Sequence, residues 1–487
     1  MFNLTKGTAA SSAPPSPATA ATASKTAPSI PPTAPRLSPN WLARQGRLPL
    51  AFMALGLGWL AFGTTALVVR PELLTLPHAA PAVVALTHAW VLGFFVTVAV
   101  GAIYQLAPVA LGTTLWREHW AWWHFGLHAA AVPGMVYAFA RWDLTLLAHF
   151  GSALALGILL FAINTWQTVR RSGQRDAVAW SLALAAGWLL ATVLAGLLLA
   201  ANRQWPFIPL DPIALLRAHA HLGLVGFFLT LLQGVTFRLV PMFTLGEVND
   251  WRPVRRGLWL SQAGLAGLVP ALALHAGSAT ELFGGLVFAG MIESGRALRR
   301  SLSTRKKRRL DPGIAAFVRG FAALLAAGVV GLVLAWPAAA WGSAPGGFSA
   351  MVYAVALFAG GLLPSISGMM YKVVPFLTWM RVYGPKVGRE ATPAAGALAN
   401  ARLETWAFAF QTLAILPLAA GVWRLSPPLL RVGTWLLAAG VALFLTDMAG
   451  VLKHLRWPAR AKSRPVVQSP APVSARTESP RSSESIA

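Results

Sequence analysis

The sequence predicts an all-α, polytopic membrane protein with twelve transmembrane helices in three pseudo-repeated four-helix units. Of the 487 residues, 56% are hydrophobic and only 11% are charged, whereas a soluble domain carries roughly 25% charged residues. Twelve apolar segments are each long enough to cross a hydrocarbon core of about 30 Å. Three sequence markers recur in the same order along the chain. Together these observations exclude a soluble globular protein.

The apolar segments lie in one central region between two polar tails. Residues 1–45 and 458–487 are rich in Ala, Pro, Ser, Thr and Arg. We expect both tails to be disordered, because such compositions bury too little apolar surface to fold. The membrane domain is predicted over residues 46–457. Its twelve segments lie near residues 50–69, 81–112, 120–140, 144–169, 177–201, 211–243, 257–275, 280–298, 314–336, 347–374, 403–423 and 431–452.

The formal net charge of +25 is concentrated in the connecting loops and the tails. Basic loops follow the second, fourth, sixth, eighth and tenth segments, whereas the opposite loops, such as residues 338–347, are neutral or mixed. By the positive-inside rule, we expect both termini to be cytoplasmic, in a bacterial-type inner membrane. The charge pattern therefore indicates lipid as the surrounding partner and gives no reason to expect nucleic acid.

Three markers suggest the internal repeat. The second, sixth and tenth segments share a pattern of Gly, an aromatic residue, a polar residue and Pro at Gly101–Pro108, Gly234–Pro241 and Gly368–Pro375. The following segments each carry a Trp eleven residues before a Pro, and the fourth helix of each set has a polar residue six before a base. The first pattern recurs after 133 and 134 residues. Three four-helix units are the simplest interpretation.

Polar residues at matched positions suggest contacts inside the bundle. The second helix of each unit carries Gln105, Arg238 or Lys372, and the fourth carries Asn164, Glu293 or Asp447. Because an unpaired charge in lipid is costly, we predict contacts between Arg238 and Glu293 and between Lys372 and Asp447, or the same pairing across neighbouring units. Two roles remain open for these pairs, a structural one and a proton or ion path.

Histidines also occupy repeat-equivalent positions. His88 and His221 each lie twenty residues before the motif proline, and His219 lies two residues before His221. Twenty helical residues span about 30 Å, so these side chains belong in the outer half of the membrane. An imidazole there needs a partner, which could be haem, a metal or another helix. His219 and His221 are about 200° apart on a helix and address opposite faces.

A second histidine group lies in the third segment. His124 and His128 are one turn apart on one helical face, a spacing that binds a metal but also suits packing. His149, expected in the outer half of the next helix, is retained as a third metal candidate. The chain has no cysteine, which excludes disulfides, iron–sulfur clusters and covalent c-type haem. Any metal must use His, Met or oxygen ligands.

The second segment resembles a known family. His88 followed by Gly101-Ala-Ile-Tyr-Gln-Leu-Ala-Pro108 is similar to the second helix of the haem–copper oxidase large subunit, in particular its nitric oxide reductase branch. That family has twelve helices in three arcs, with ligands on the second, sixth and tenth. The resemblance implies a respiratory electron-transfer protein with b-type haem, His88 as haem ligand and His221 or His219 at the copper-ligand position. It also implies a quinol or cytochrome as electron donor and further membrane subunits. Whether copper binds as well is left open.

Departures from that family limit what the resemblance implies. The tenth segment has no His between residues 348 and 375, and the seventh has only the terminal His275. We therefore expect a haem protein without a complete haem–copper centre and leave enzymatic activity open. The sixth segment also resembles a second family, the NnrS-type haem- and copper-containing proteins of NO or metal stress. The resemblance rests on His219, His221, Gly226 and Phe227, followed by a Gly and a Pro seven residues apart. A secondary transporter with intramembrane ion pairs is the third alternative.

The repeat suggests where haem would bind. In the oxidase family a low-spin haem lies between histidines of neighbouring arcs, and pseudo-threefold symmetry makes the interface of the second and sixth segments equivalent. We hypothesise a bis-histidine haem held by His88 and either His219 or His221. Arg217 is expected to pair with a propionate, because a guanidinium fork suits carboxylates. Two imidazole ligands would favour electron transfer over ligand activation.

Overall fold

The computed structural model describes residues 46–335 and 350–458, and every regular element in these ranges is helical. Twelve long helices in this part coincide with the twelve apolar segments. They are α1 (Arg47–Val69), α2 (Pro81–Leu111), α3 (Glu118–Arg141), α4 (Leu144–Ser172), α5 (Ala177–Gln204), α6 (Pro212–Thr244), α7 (Arg252–Ala273), α8 (Gly277–Ser303), α9 (Pro312–Ala335), α10 (Ala350–Val382), α11 (Ala401–Trp423) and α12 (Pro427–Leu452). The predicted disordered tails, apart from Pro458, and the loop at 338–347 lie outside the described residues.

The all-α membrane character is confirmed. Within the described ranges, nine of these helices are long and apolar enough to cross a membrane. The other three, α3, α7 and α8, are also long, with 24, 22 and 27 residues, but carry more polar and charged side chains, such as the arginines in the first turns of α7.

Local sequence signals define several helix ends. Asp143 precedes α4 and accepts a hydrogen bond from the Leu146 backbone N–H at 2.9 Å, and Asp176 caps α5 through Ala179 at 2.8 Å. These side chains satisfy backbone N–H groups that have no partner inside the helix. Gly112 follows α2 with a φ of 61°, a left-handed conformation that favours glycine.

The helices pack in a closed ring. The third and fourth helices of each set form hairpins, α3 with α4, α7 with α8 and α11 with α12, and the first packs on the second, as α1 does on α2. Neighbouring sets meet through α4 and α5 and through α8 and α9, and α12 packs on α1. The contact of the last helix with the first closes the ring.

Helices α2, α6 and α10 meet at the centre. The Phe95 ring on α2 lies 5.8 Å from the Phe358 ring of α10 and 6.2 Å from the Phe228 ring of α6. In the most apolar windows of α2 and α6, 78% of the residues are buried. The histidines of these helices are partly buried and lie against neighbouring helices.

Close packing explains the glycine of the repeated motif. A Cβ on Gly101 would lie 2.7 Å from the Cβ of Phe52 on α1. A Cβ on Gly234 would overlap Ser181 of α5, and one on Gly368 would overlap the Gly313 backbone of α9. At each position the second helix of a set approaches the first too closely for a side chain.

Each central helix contains a π-helical segment, at Ala89–Val96, Leu222–Leu229 and Ala356–Leu362. These segments begin immediately after His88, His221 and Val355, at the spacing of the sequence motif. In two of them a threonine hydroxyl satisfies a carbonyl five residues back, Thr97 to Leu92 and Thr230 to Val225. π-Helical turns inside α-helices are frequent at functional sites.

Candidate functional site

His221 of α6 is positioned by its own helix. Its Nδ1 lies 2.8 Å from the carbonyl oxygen of Arg217, one turn earlier. Since only a protonated nitrogen can donate to a carbonyl, Nδ1 carries the proton and Nε2 keeps a free lone pair in the neutral ring. Nε2 makes no hydrogen bond within the described residues. His221 therefore presents a nitrogen that can accept a hydrogen bond or bind a metal.

His221 lines a cavity of about 620 Å³ between helices α6, α7, α8, α9 and α10. The deep wall is apolar and includes Leu232, Phe288, Met291 and Leu324. Several glycines, for example Gly328 of α9, also line the cavity and place no side chain in it. Such a cavity has the size and apolar character of pockets that bind cofactors.

One end of the cavity is polar. His78, Arg217 and His275 all line it, and His275 Nε2 lies 3.0 Å from Asp211 Oδ2. Burial, followed by the charge of Arg217, lowers the pKa of His78. The amide N–H of Ala214 is the largest cause of a lowered pKa at Asp211, which caps α6. A ligand with an apolar body and anionic groups would match this distribution of side chains.

Tyr353 of α10 faces His221 across the cavity. The two rings are nearly parallel, at 16°, with centroids 6.2 Å apart. Tyr353 is 134 residues after His219, so it occupies the position of His219 in the next central helix. Sequence reasoning did not include it among the site residues, although the motif spacing was the signal that could have found it.

The structure brings His88 together with His219. His88 Nδ1 lies 2.8 Å from the Val84 carbonyl oxygen, which again leaves Nε2 free, and its ring stacks on Phe139 at 4.3 Å. His219 lies close enough to His88 to interact with it electrostatically. Its ring packs on Gly196 of α5, where a Cβ would approach Cε1 to 3.0 Å. Of the two partners considered for His88, His219 is therefore the one nearby.

The two side-chain pairs that contain these histidines, here called the histidine faces, occupy equivalent positions in the repeat. His88 of α2 with His219 of α6 corresponds to His221 of α6 with Tyr353 of α10. The third interface would pair Val355 with Leu86, which offers no ligand.

His124 and His128 form a separate buried pair on α3, with both rings 0% exposed and 5.7 Å between centroids. His128 Nε2 lies 2.7 Å from the Thr97 hydroxyl, which itself donates to the Leu92 carbonyl. His128 Nε2 is therefore the donor, and its Nδ1 keeps the lone pair. The Tyr104 hydroxyl lies 3.0 Å from His124 Nδ1.

The third metal candidate lies apart from this pair. His149 is exposed on α4 and bonds the Thr145 carbonyl at 2.7 Å. Over the described ranges, no cluster of three or more His or acidic side chains is arranged to hold a metal ion.

The predicted contact between Arg238 and Glu293 is wrong. Glu293 pairs with Arg256 at 3.0 Å and with Arg296 at 2.8 Å. The exposed Arg238 donates to the Ala110 carbonyl of α2 at 3.3 Å. Bases at the start of α7 and one turn along α8 lie nearer to the carboxylate than the base on α6.

The predicted contact between Lys372 and Asp447 is also wrong. Lys372 Nζ pairs with Asp311, the residue before α9, at 2.7 Å. Asp447 accepts the backbone N–H of Asn400 at 2.9 Å, and so binds the start of α11. Asn164 binds the start of α3 in the same way, through Arg117, whereas Gln105 Oε1 has no partner in the described part of the chain.

No protein-family model and no curated protein matches this chain.

Proposed function

We propose that this protein is a haem-binding, integral membrane electron-transfer protein. The observation that carries the proposal is His221, which has a free Nε2 and lines a cavity of about 620 Å³ that is apolar in depth and has Arg217 at its polar end. Cofactor pockets span about 300–1,000 Å³ and are mostly apolar with a few placed polar groups. A porphyrin with two carboxylates has the complementary distribution of polarity.

The residues fit haem in three respects. The hydrogen bond from His221 to the Arg217 carbonyl fixes the tautomer and ring orientation, as a hydrogen bond from the second ring nitrogen does for metal-binding histidines. Arg217 offers a guanidinium fork for a carboxylate, and His78 and His275 line the same end of the cavity. The apolar wall excludes water. When bound, haem would supply one-electron redox chemistry at a potential tuned by these surroundings.

The face shared by His88 and His219 supports a second haem. Both residues are partly buried, His88 has a free Nε2, and His219 lies within electrostatic range of His88. His88 and His219 would hold this haem, and two imidazole ligands would favour electron transfer over activation of a small molecule. Since the tenth segment has no histidine, we do not propose a complete haem–copper centre, and copper is not required. Electrons would come from a quinol or a cytochrome, because the chain has no cysteine for its own c-type haem or cysteine-based copper site.

We also propose that α1–α12 form twelve spans in three four-helix units, with both termini on the cytoplasmic side of a bacterial-type inner membrane. Support comes from the three motif glycines, the three π-helical segments and the ring of equivalent contacts. The basic loop at residues 305–309, between α8 and α9, marks the proposed cytoplasmic side.

The test is a reduced-minus-oxidised spectrum of the purified full-length protein. We expect b-type haem bands in the wild type, reduced in intensity and altered in position in His221→Ala. His149→Ala, which removes an exposed histidine from the same bundle, should leave the spectrum unchanged. Absence of haem bands from the wild type, or an unchanged spectrum in His221→Ala, would refute the proposal.

A second candidate is an ion-coupled transporter. It is favoured by the Lys372–Asp311 ion pair, whose side chains are only 16% and 31% exposed. Proteoliposomes would separate the candidates: ion-dependent solute uptake by a haem-free protein would support transport, and haem without uptake would support electron transfer.

A further inference from the structure

The first turn of α11 holds a buried carboxyl group that the proposed haem sites do not use. Glu404 is 6% exposed, and its Oε1 has no hydrogen-bond partner among the described residues. The charged groups that act on it are Lys372 of α10, Asp311 before α9 and Asp447 of α12. Three carboxyl groups therefore share one ammonium group in the interior of the bundle.

Two of the three carboxylates have compensation of their own. Asp311 forms a 2.7 Å ion pair with Lys372. Asp447 accepts the Asn400 backbone N–H on both oxygens, at 2.9 and 3.2 Å, at the positive end of α11. Glu404 has the Gly313 backbone beside it but no cation of its own. Like charges disfavour each other in a buried site, and Glu404 is the carboxyl group of the three that has the least compensation.

A second buried polar side chain, Gln411, lies further along α11 than Glu404. Gln411 lies two turns further along α11, is 2% exposed, and neither of its amide atoms has a partner in the described part of the chain. The Lys372–Asp311 pair, whose charges act on Glu404, is 16% and 31% exposed and lies at the start of α9, which follows the basic loop. Glu404 thus has two sets of polar groups near it: the Lys372–Asp311 ion pair, and the amide of Gln411, which makes no hydrogen bond in the described part of the chain.

We propose that Glu404 is a proton-exchange site inside the bundle, in contact with the side of the basic loops through the Lys372–Asp311 pair. One proton passes from a hydronium ion to a Glu404 oxygen and leaves water, and the reverse step returns it. No electron moves. Tyr371 of α10 lies beside Asp447 and completes the set of titratable groups that face this region. The proposal does not depend on haem.

The test is infrared difference spectroscopy of the purified full-length protein between alkaline and acidic buffer, in water and in deuterium oxide. We expect the wild type to show the carbonyl stretch of a protonated carboxyl that shifts in deuterium oxide. The band should be lost in Glu404→Gln and kept in Glu390→Gln, a matched change at an exposed glutamate that pairs with Lys386.

A wild type without such a band would overturn the proposal, as would a band that persists in Glu404→Gln. Loss of the band in Asp447→Asn, with the band intact in Glu404→Gln, would show that Asp447 carries the proton. That result would also overturn the proposal. Should Glu404→Gln fail to fold, Glu404→Asp keeps a carboxyl and should retain the band at a shifted frequency. An unshifted band in that variant would again contradict the assignment.

Discussion

The side chain of Asn164 on α4 binds both backbone groups of Arg117, 47 residues earlier, by accepting from its N–H at 3.0 Å and donating to its carbonyl at 2.9 Å. Asp447 on α12 binds Asn400 at the same separation of 47 residues. In both cases a polar residue of the fourth helix holds the start of the third. In these two units, the polar residue that lies six positions before a base therefore links the third and fourth helices.

Replacement of Asn164 tests this role. Asn164→Leu leaves the N–H and C=O of Arg117 without partners, so we expect a loss of about 1–3 kcal/mol in the free energy of unfolding. Thermal unfolding in detergent would measure it. Gln167→Leu, three residues along the same helix, removes an amide with no observed hydrogen bond and should have little effect. Equal losses in the two variants would contradict the role of Asn164.

The motif glycine provides a second test. Gly234→Ala should destabilise the protein by about 1–3 kcal/mol, because the new methyl group overlaps Ser181 on α5. Gly187→Ala is the control, since a Cβ there has no neighbour within 4 Å. Adding Ser181→Gly should recover part of the loss, a coupling that a double-mutant cycle measures. Strictly additive losses would show that the two helices do not meet at this point.

A third prediction concerns pH at the start of α6. Hydrogen bonds from the Ala214 and Ile213 N–H groups, followed in size by that of His275, hold the pKa of Asp211 below its ordinary value of 3.8. A depressed carboxyl pKa stabilises the folded state above the unfolded-state value, and this contribution is lost as pH falls through the folded-state value. Wild type should therefore have a higher Tm than Asp211→Ala at neutral pH, and the difference should shrink below pH 3.8. A difference that is independent of pH would contradict this account.

The helices could be predicted from the sequence, because apolar segments of membrane length leave little choice of secondary structure. The partners of the charged residues could not. Matching acid with base by type ignored the backbone N–H groups at helix starts, which compete for a carboxylate such as Asp447. It also ignored bases on adjacent turns, such as Arg296 beside Glu293.

Of the residues that line the cavity, the sequence predicted His221 and Arg217 as site residues but not His78, His275 or Tyr353. The motif spacing could have identified Tyr353, whereas His78 lies in a loop with no repeat signal and joins His221 only through the packing of the loop before α2. Glu404 resembles an ordinary acidic residue in a first helical turn, and its burial depends on the approach of α9 and α10.

The haem content of the purified wild-type protein tests the central claim most directly. Pyridine haemochrome analysis against protein concentration should give haem in stoichiometric amount, close to two per chain if both histidine faces are filled. Removal of one ligand, in His88→Ala or in His221→Ala, should lower that ratio. A protein that is folded, as judged by its thermal unfolding, and that contains no haem even when produced with excess haem would contradict the account.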